Sequence, residues 1–386
     1  MKKKVGFLYD NISRNTGDLA IGLSVKKIIL ESGIKEKYFE EMIPGISNPN
    51  NFENIIIGGG LLLREKRDFY YDKFRLEGKY ILNCMGIFQE PKDLDYLKEY
   101  KYVSVRSKGD RKKLSYIDKQ IQVVPDTTLL LDDVDLKIKI KNPSIGIHCF
   151  SQNNFKDINK IIRKYSKHFF IYLLPITHYN YDFEFLKEIY LNNFKNKNVQ
   201  LLPILNPLEI NTIIGKFSYF ISYSLHGAYF AYKHQTPFIL LDDGAVTKMK
   251  EFMEDRKLEN FLFSDSGKID KKLTDLIENP PNYQMTLKKD MKILQKHQLK
   301  IKKIITSASE FYPTKIYPDL KTSQWYSKFN KSKQELIPSL SNQIIKLSRE
   351  NRKLKNLNSE LKIIKDSQFF KLWKPYCKIK KIFKFK

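Results

Sequence analysis

FISYSLHGAYFAY, residues 220–232, opens as a buried strand, breaks at a polar corner and goes on as a helix. That strand–corner–helix unit belongs to parallel α/β architecture, in which helices cover both faces of a sheet. Similar apolar runs recur along the chain in two sets. The first is 4–9, 54–58, 79–84, 101–106 and 121–124. The second is SIGIHCF, FFIYLLPI, VQLLPI, FSYFISYS and TPFILLDD. Helix-like stretches lie between most of them, among them IGLSVKKIILESG, PKDLDYLKEY, FKDINKIIRKYSKH and YDFEFLKEIYLNNF. The pattern pauses over 132–143, so the expected architecture is two α/β units in tandem, residues 1–135 and 136–312. A cleft between the carboxyl ends of their sheets is where a ligand is expected.

After Pro313 the strand pattern stops. Ile337, Leu340, Ile344, Leu347, Asn351, Leu354, Asn358 and Leu361 alternate three and four apart, a heptad that predicts a helical extension over 313–366. Its two readings are a coiled coil joining two copies of the chain and an amphipathic helix lying on its own domain. Residues 367–386 hold seven lysines and no acid, interleaved with aromatic and aliphatic side chains. The pattern suits an in-plane segment on an anionic membrane better than a nucleic-acid surface, since no nucleic-acid motif accompanies it.

The net charge of +26 favours anionic partners, and residues 331–386 carry 16 basic against 4 acidic side chains. No run of eighteen apolar residues predicts a membrane-spanning helix, and the start reads as a first strand of a cytoplasmic protein. Cys84, Cys149 and Cys377 are isolated, which predicts reduced thiols and no structural metal.

The chemistry-bearing residues fall at strand ends. Asn15, Gly17 and Asp18 form the first turn, with Asp18 expected as the cap of a helix beginning near Leu19. Gly59 and Gly60 follow the next strand and allow close backbone approach. The spacing fits neither a dinucleotide fingerprint nor a P-loop. Arg106 could clamp a phosphate or carboxylate, whereas Asp126 reads first as structural. At the opening corner, His226 is placed as a general acid or base, beside Ser224 and a helix start near Gly227. His148 and His178 are weaker candidates for the same cleft. Glu41, Asp243 and Glu251 carry no assigned role.

NTGDLAIG (15–22), IIIGGG (55–60), VSVRS (103–107), VVPDTTLLL (123–131) and SYSLHGAYFAYKHQTPFILLD (222–242) occur in one order. Together they resemble the polysaccharide pyruvyl transferase family over about residues 4–265. The resemblance implies two Rossmann-like domains in a GT-B-like arrangement. It also implies pyruvate transfer from phosphoenolpyruvate to a sugar of a cell-surface glycan as a ketal, without a further cofactor. His226 would be the acid/base. Asn15, Gly17, Asp18, Gly59, Gly60, Arg106, His178, Ser224, Gly227 and Lys248 would bind substrates. Where many relatives carry arginine this chain has Ser224, leaving Arg106, Lys248 or His178 to supply positive charge. A lipid-linked acceptor at the inner membrane face would suit the basic tail. The rival readings are a glycosyltransferase using a nucleotide sugar and a relative that has lost catalysis.

Overall fold

The computed structural model describes residues 3–13, 15–64, 70–150, 155–177, 182–193, 195–242 and 247–307. The heptads, the basic tail, Cys377, His178 and Asp243 lie outside the described residues.

The first sheet contains β1 (Lys3–Leu8), β2 (Phe39–Met42), β3 (Phe52–Gly58), β4 (Ile81–Met85), β5 (Tyr102–Val105) and β6 (Gln122–Val123). The second contains β7 (Ser144–Ile147), β8 (Phe170–Leu173), β9 (Val199–Leu201), β10 (Tyr219–Ser222), β11 (Phe238–Leu241) and β12 (Leu262–Phe263). Their orders are β2-β1-β3-β4-β5-β6 and β12-β11-β10-β7-β8-β9, and every pairing is parallel. Parallel strands buried on both faces read as near-continuous apolar runs. NIIIG and FILL are of this kind, and Ile55, Ile56, Ile57, Phe238, Ile239 and Leu240 are fully buried.

The helices are α1 (Thr16–Glu31), α2 (Lys108–Lys113), α3 (Phe155–Tyr165), α4 (Asp182–Asn193), α5 (Pro207–Ile214), α6 (Leu225–Lys233), α7 (Lys248–Asp255), α8 (Ile269–Glu278) and α9 (Gln284–Thr306). Two α/β halves with parallel sheets are therefore present, as expected. PKDLDYLKEY forms only a 3-10 turn, Asp95–Glu99. Its buried Leu94, Leu97 and Tyr100 recur every third residue, the period of that tighter helix. β2 and β12 have no counterpart among the expected strands, because each is a short edge strand lacking a continuous apolar run.

The halves share one apolar core. Ala20, Ile21, Val25 and Ile28 of α1 belong to the same cluster as Ile210 and Ile213 of α5 and Ala228 and Tyr229 of α6. Burying apolar surface across the junction fixes the halves against each other and brings the start of α1 to the start of α6. α9 leaves the second half and packs on the first, burying Leu294, His297, Ile301 and Ile305. His297 donates its Nε2–H to Asn83 Oδ1 (2.7 Å), and its Nδ1 accepts from the Tyr102 hydroxyl (2.9 Å), which pins the helix to β4 and β5. Burial depresses the imidazole's pKa to about 3, so it serves there as a neutral side chain.

Candidate active site

α1 begins three residues earlier than expected, and its cap is Asn15 rather than Asp18. Asn15 Oδ1 accepts from the Gly17 N–H at 3.1 Å, and Asn15 Nδ2 donates to Asp18 Oδ2 at 2.7 Å. Asp18 is thus a buried acid within the first helical turn. Burial first, and the nearby Asp10 carboxylate second, push its pKa up to about 6, against the pull of His226, Lys248 and Asn15. Gly60, at φ +73°, passes so close that a Cβ there would lie 2.5 Å from Asp18 Oδ1. Gly59 precedes it and donates its N–H to Asn83 O at 2.9 Å.

The folded state therefore keeps the Asp18 proton between its ordinary value near 3.8 and about 6, while the unfolded chain has lost it. Stability falls as pH rises through that window. Asp18→Asn is expected to raise the melting temperature above pH 6, with the gain vanishing toward pH 4. Melting curves of both proteins from pH 4 to 8 check this, and a gain equal at every pH would contradict it.

α6 begins at Leu225, two residues before the expected start. Ser224 caps it, its Oγ accepting from the Gly227 N–H at 3.5 Å. That N–H is taken up by the cap, which removes Gly227 as an accessible donor. His226 projects from the first turn of α6 across to the first half and is only 8% exposed. Its ring lies over Gly17, where a Cβ would come within 1.8 Å of Nδ1. Gly17 is therefore needed for the close approach of the imidazole to α1. On the other side, Nε2 stands 3.5 Å from Asp126 Oδ2.

Asp126 is fully buried after β6, and its Oδ1 accepts from the Thr128 N–H at 3.0 Å. Burial pushes its carboxyl pKa up, but His226, the Thr128 N–H and Arg106 outweigh burial and hold it below the usual value. Neither Asp126 Oδ2 nor His226 Nε2 has a hydrogen-bond partner at this separation. Such contacts commonly tighten when a ligand closes the site. Reading Asp126 as structural understates it, because the side chain makes an acid–imidazole pair that only the packing of the two halves creates.

Arg106, at the end of β5, is buried against Gly86. A Cβ on that glycine would fall 2.3 Å from Nη2. Arg106 Nε lies 3.9 Å from Asp110 Oδ2, and Nη2 has no hydrogen-bond partner. A buried guanidinium N–H without an acceptor is costly, and an anionic ligand would satisfy it.

Beside this cluster is a cavity of about 300 Å³ lined by residues of both halves, including Leu61, Phe88, Lys113, Thr247, Lys248 and Glu251. Glu251 bridges the halves, accepting from Ser107 Oγ (2.6 Å), Lys113 Nζ (2.9 Å) and Thr247 Oγ1 (2.8 Å). Its role is not legible from local spacing, because Ser107 and Lys113 lie 144 and 138 positions upstream. Glu41 Oε1 accepts from Asn11 Nδ2 at 2.6 Å. His148 is buried in the second half, its Nε2 3.2 Å from Asp182 Oδ2. Among the described residues, no group of three or more His, Cys, Asp or Glu side chains is arranged to hold a metal. None of their helices is long and apolar enough to cross a membrane.

Two six-stranded parallel sheets joined at such a cleft define the two-domain, GT-B-like class of α/β protein. The chain belongs to the polysaccharide pyruvyl transferase family, whose model matches residues 15–244, and the family is one of transferases that act on polysaccharide. No curated protein matches the chain at a significant level. Among solved structures, the S. aureus MnaA–UDP co-structure aligns at TM-score 0.50 and 12% identity, covering 81% of this chain and all of that one. A putative UDP-N-acetylglucosamine 2-epimerase from Listeria monocytogenes aligns at TM-score 0.49 and 12% identity, with the same coverage. At such identity the first likeness bears on the fold alone.

Proposed function

We propose that the chain transfers pyruvate from phosphoenolpyruvate to a sugar of a cell-surface polysaccharide or its lipid-linked precursor, forming a ketal. The single observation that carries this reading is the buried, unsatisfied Arg106 guanidinium in the same cluster as the His226–Asp126 pair. An anion with a proton-dependent reaction would complete both.

Ketal formation needs a proton at the methylene carbon of the enol phosphate. Positive charge then develops at the central carbon, and a sugar hydroxyl adds there. Phosphate leaves with the electrons of the C–O bond, and a second hydroxyl closes the ketal. His226, with Asp126 beside its Nε2, is the group that gives the proton and takes one back from the hydroxyl. Asp126 holds the tautomer and steadies the imidazolium, while Arg106 faces the donor's charge. Arg106 takes the place of the arginine that relatives carry where this chain has Ser224. Asn15, Asp18, Lys248, Gly59 and Gly60 are assigned to the acceptor in this reading. No further cofactor is required by this chemistry.

The finer setting is part of the same proposal. The basic aromatic segment 367–386 would hold the enzyme on the inner face of the membrane beside a lipid-linked glycan. The heptad segment would pair two copies.

Phosphoenolpyruvate at millimolar concentration is expected to raise the melting temperature by several degrees. A panel of nucleotide sugars is expected to leave it within one degree, as binding to the folded state alone stabilises by mass action. The reverse pattern would favour a nucleotide-sugar glycosyltransferase. No shift from either would favour a relative that has lost catalysis.

A further inference from the structure

A second cavity lies beneath α9 along β5 and β6 and shares no lining residue with the first. Its volume is about 650 Å³. The lining comes from three segments distant in sequence: Lys101 and Tyr102 at the start of β5, Lys119 to Val124 around β6, and one face of α9. Four lysines line it, Lys101, Lys119, Lys296 and Lys300, and no acidic side chain does. Lys296 and Lys300 are exposed one turn apart on α9, and among the described residues neither pairs with a carboxylate. Lys119 Nζ donates to the Lys98 carbonyl at 2.9 Å, and an ammonium has two further donors. Lys101 Nζ donates to Asn54 Oδ1 at 2.9 Å.

The arrangement differs from scattered surface charge in three respects. Like charges brought to one concavity repel unless an anion joins them. The helix that brings two of them is held in place by buried His297, through Asn83 and Tyr102, so the array is not a chance of side-chain wandering. Val123, Val124 and Ile293 supply an apolar wall next to the ammonium groups, with neutral Gln120 and Gln122 as hydrogen-bonding partners. The volume is that of a small-metabolite site.

We infer that this cavity binds a multiply charged phosphate group of the diphosphate kind, independently of the catalytic cleft. Lysine suits phosphate as a compact point charge, and several lysines suit the several negative charges of a diphosphate. The group could belong to a soluble diphosphate or to a lipid headgroup. The inference does not rest on the proposed reaction.

Isothermal titration of the full chain with inorganic pyrophosphate at physiological salt tests it. Saturable one-to-one binding is expected. Lys296→Gln with Lys300→Gln is expected to weaken it roughly tenfold or more. Lys288→Gln with Lys289→Gln, on the same helix outside the cavity and with the same loss of charge, is expected to change it less than about twofold. Absence of saturable binding, or equal weakening by both pairs, would overturn the inference. Neutral phosphatidylcholine vesicles carrying a dilute polyprenyl diphosphate, compared with the same vesicles without it, distinguish the source. A diphosphate-dependent increment of sedimentation that is lost in the Lys296/Lys300 pair and displaced by pyrophosphate assigns a lipid headgroup. Pyrophosphate binding without such vesicle dependence assigns a soluble ligand.

Discussion

His226→Ala is expected to lower the pyruvyl transfer rate by roughly 10²–10⁴-fold, the usual contribution of a general acid–base group. The loss should fall on kcat, with the phosphoenolpyruvate-induced thermal shift largely retained, because Arg106 still faces the donor. The fold should survive. His226 sits in the first turn of an already capped α6, and its removal frees space against Gly17 without exposing an apolar core. Steady-state kinetics beside a melting curve separates the two effects. Activity within about tenfold of the parent enzyme would remove the imidazole from the chemistry.

Arg106→Ala should produce the second large effect, of a different kind. Oxyanion-type donors commonly contribute about 10²–10³-fold, so activity should fall by that order. The donor-induced thermal shift should disappear with it. Truncation also removes the guanidinium that helps oppose the burial of Asp110 and Asp126, so a lower melting temperature is expected. Arg106→Lys separates binding from stability. It keeps a charge in the pocket and loses the planar fork, so it should recover most of the stability and only part of the donor affinity. A lysine variant with wild-type KM for phosphoenolpyruvate would show that the guanidinium geometry is not used.

Much of the architecture was legible because buried parallel strands announce themselves as apolar runs. IIIG and FILL could be placed from sequence, whereas FEEM could not, since an edge strand with two exposed glutamates has no such run. Helix starts were displaced by two or three residues. Asn15 and Asp18 both suit a cap, and the preference was decided by which oxygen reaches the Gly17 N–H. His226 was legible as a polar residue at a strand end. Its partner was not, because Asp126 is 100 positions away and meets it only through the shared core of the two halves. The same limit applies to Glu251 and to the lysine-lined cavity under α9. Each is made from segments whose proximity is a property of the tertiary fold, and no local spacing encodes it.

This cleft is proposed to carry pyruvate from an enol phosphate to a glycan. Incubating the purified full chain with phosphoenolpyruvate and a lipid-linked glycan extract measures it directly. Stoichiometric release of inorganic phosphate, with a pyruvyl ketal added to the glycan mass and both signals lost in the His226→Ala protein, is the result expected. Transfer of a sugar from a nucleotide donor under the same conditions, with phosphoenolpyruvate left intact, would contradict it.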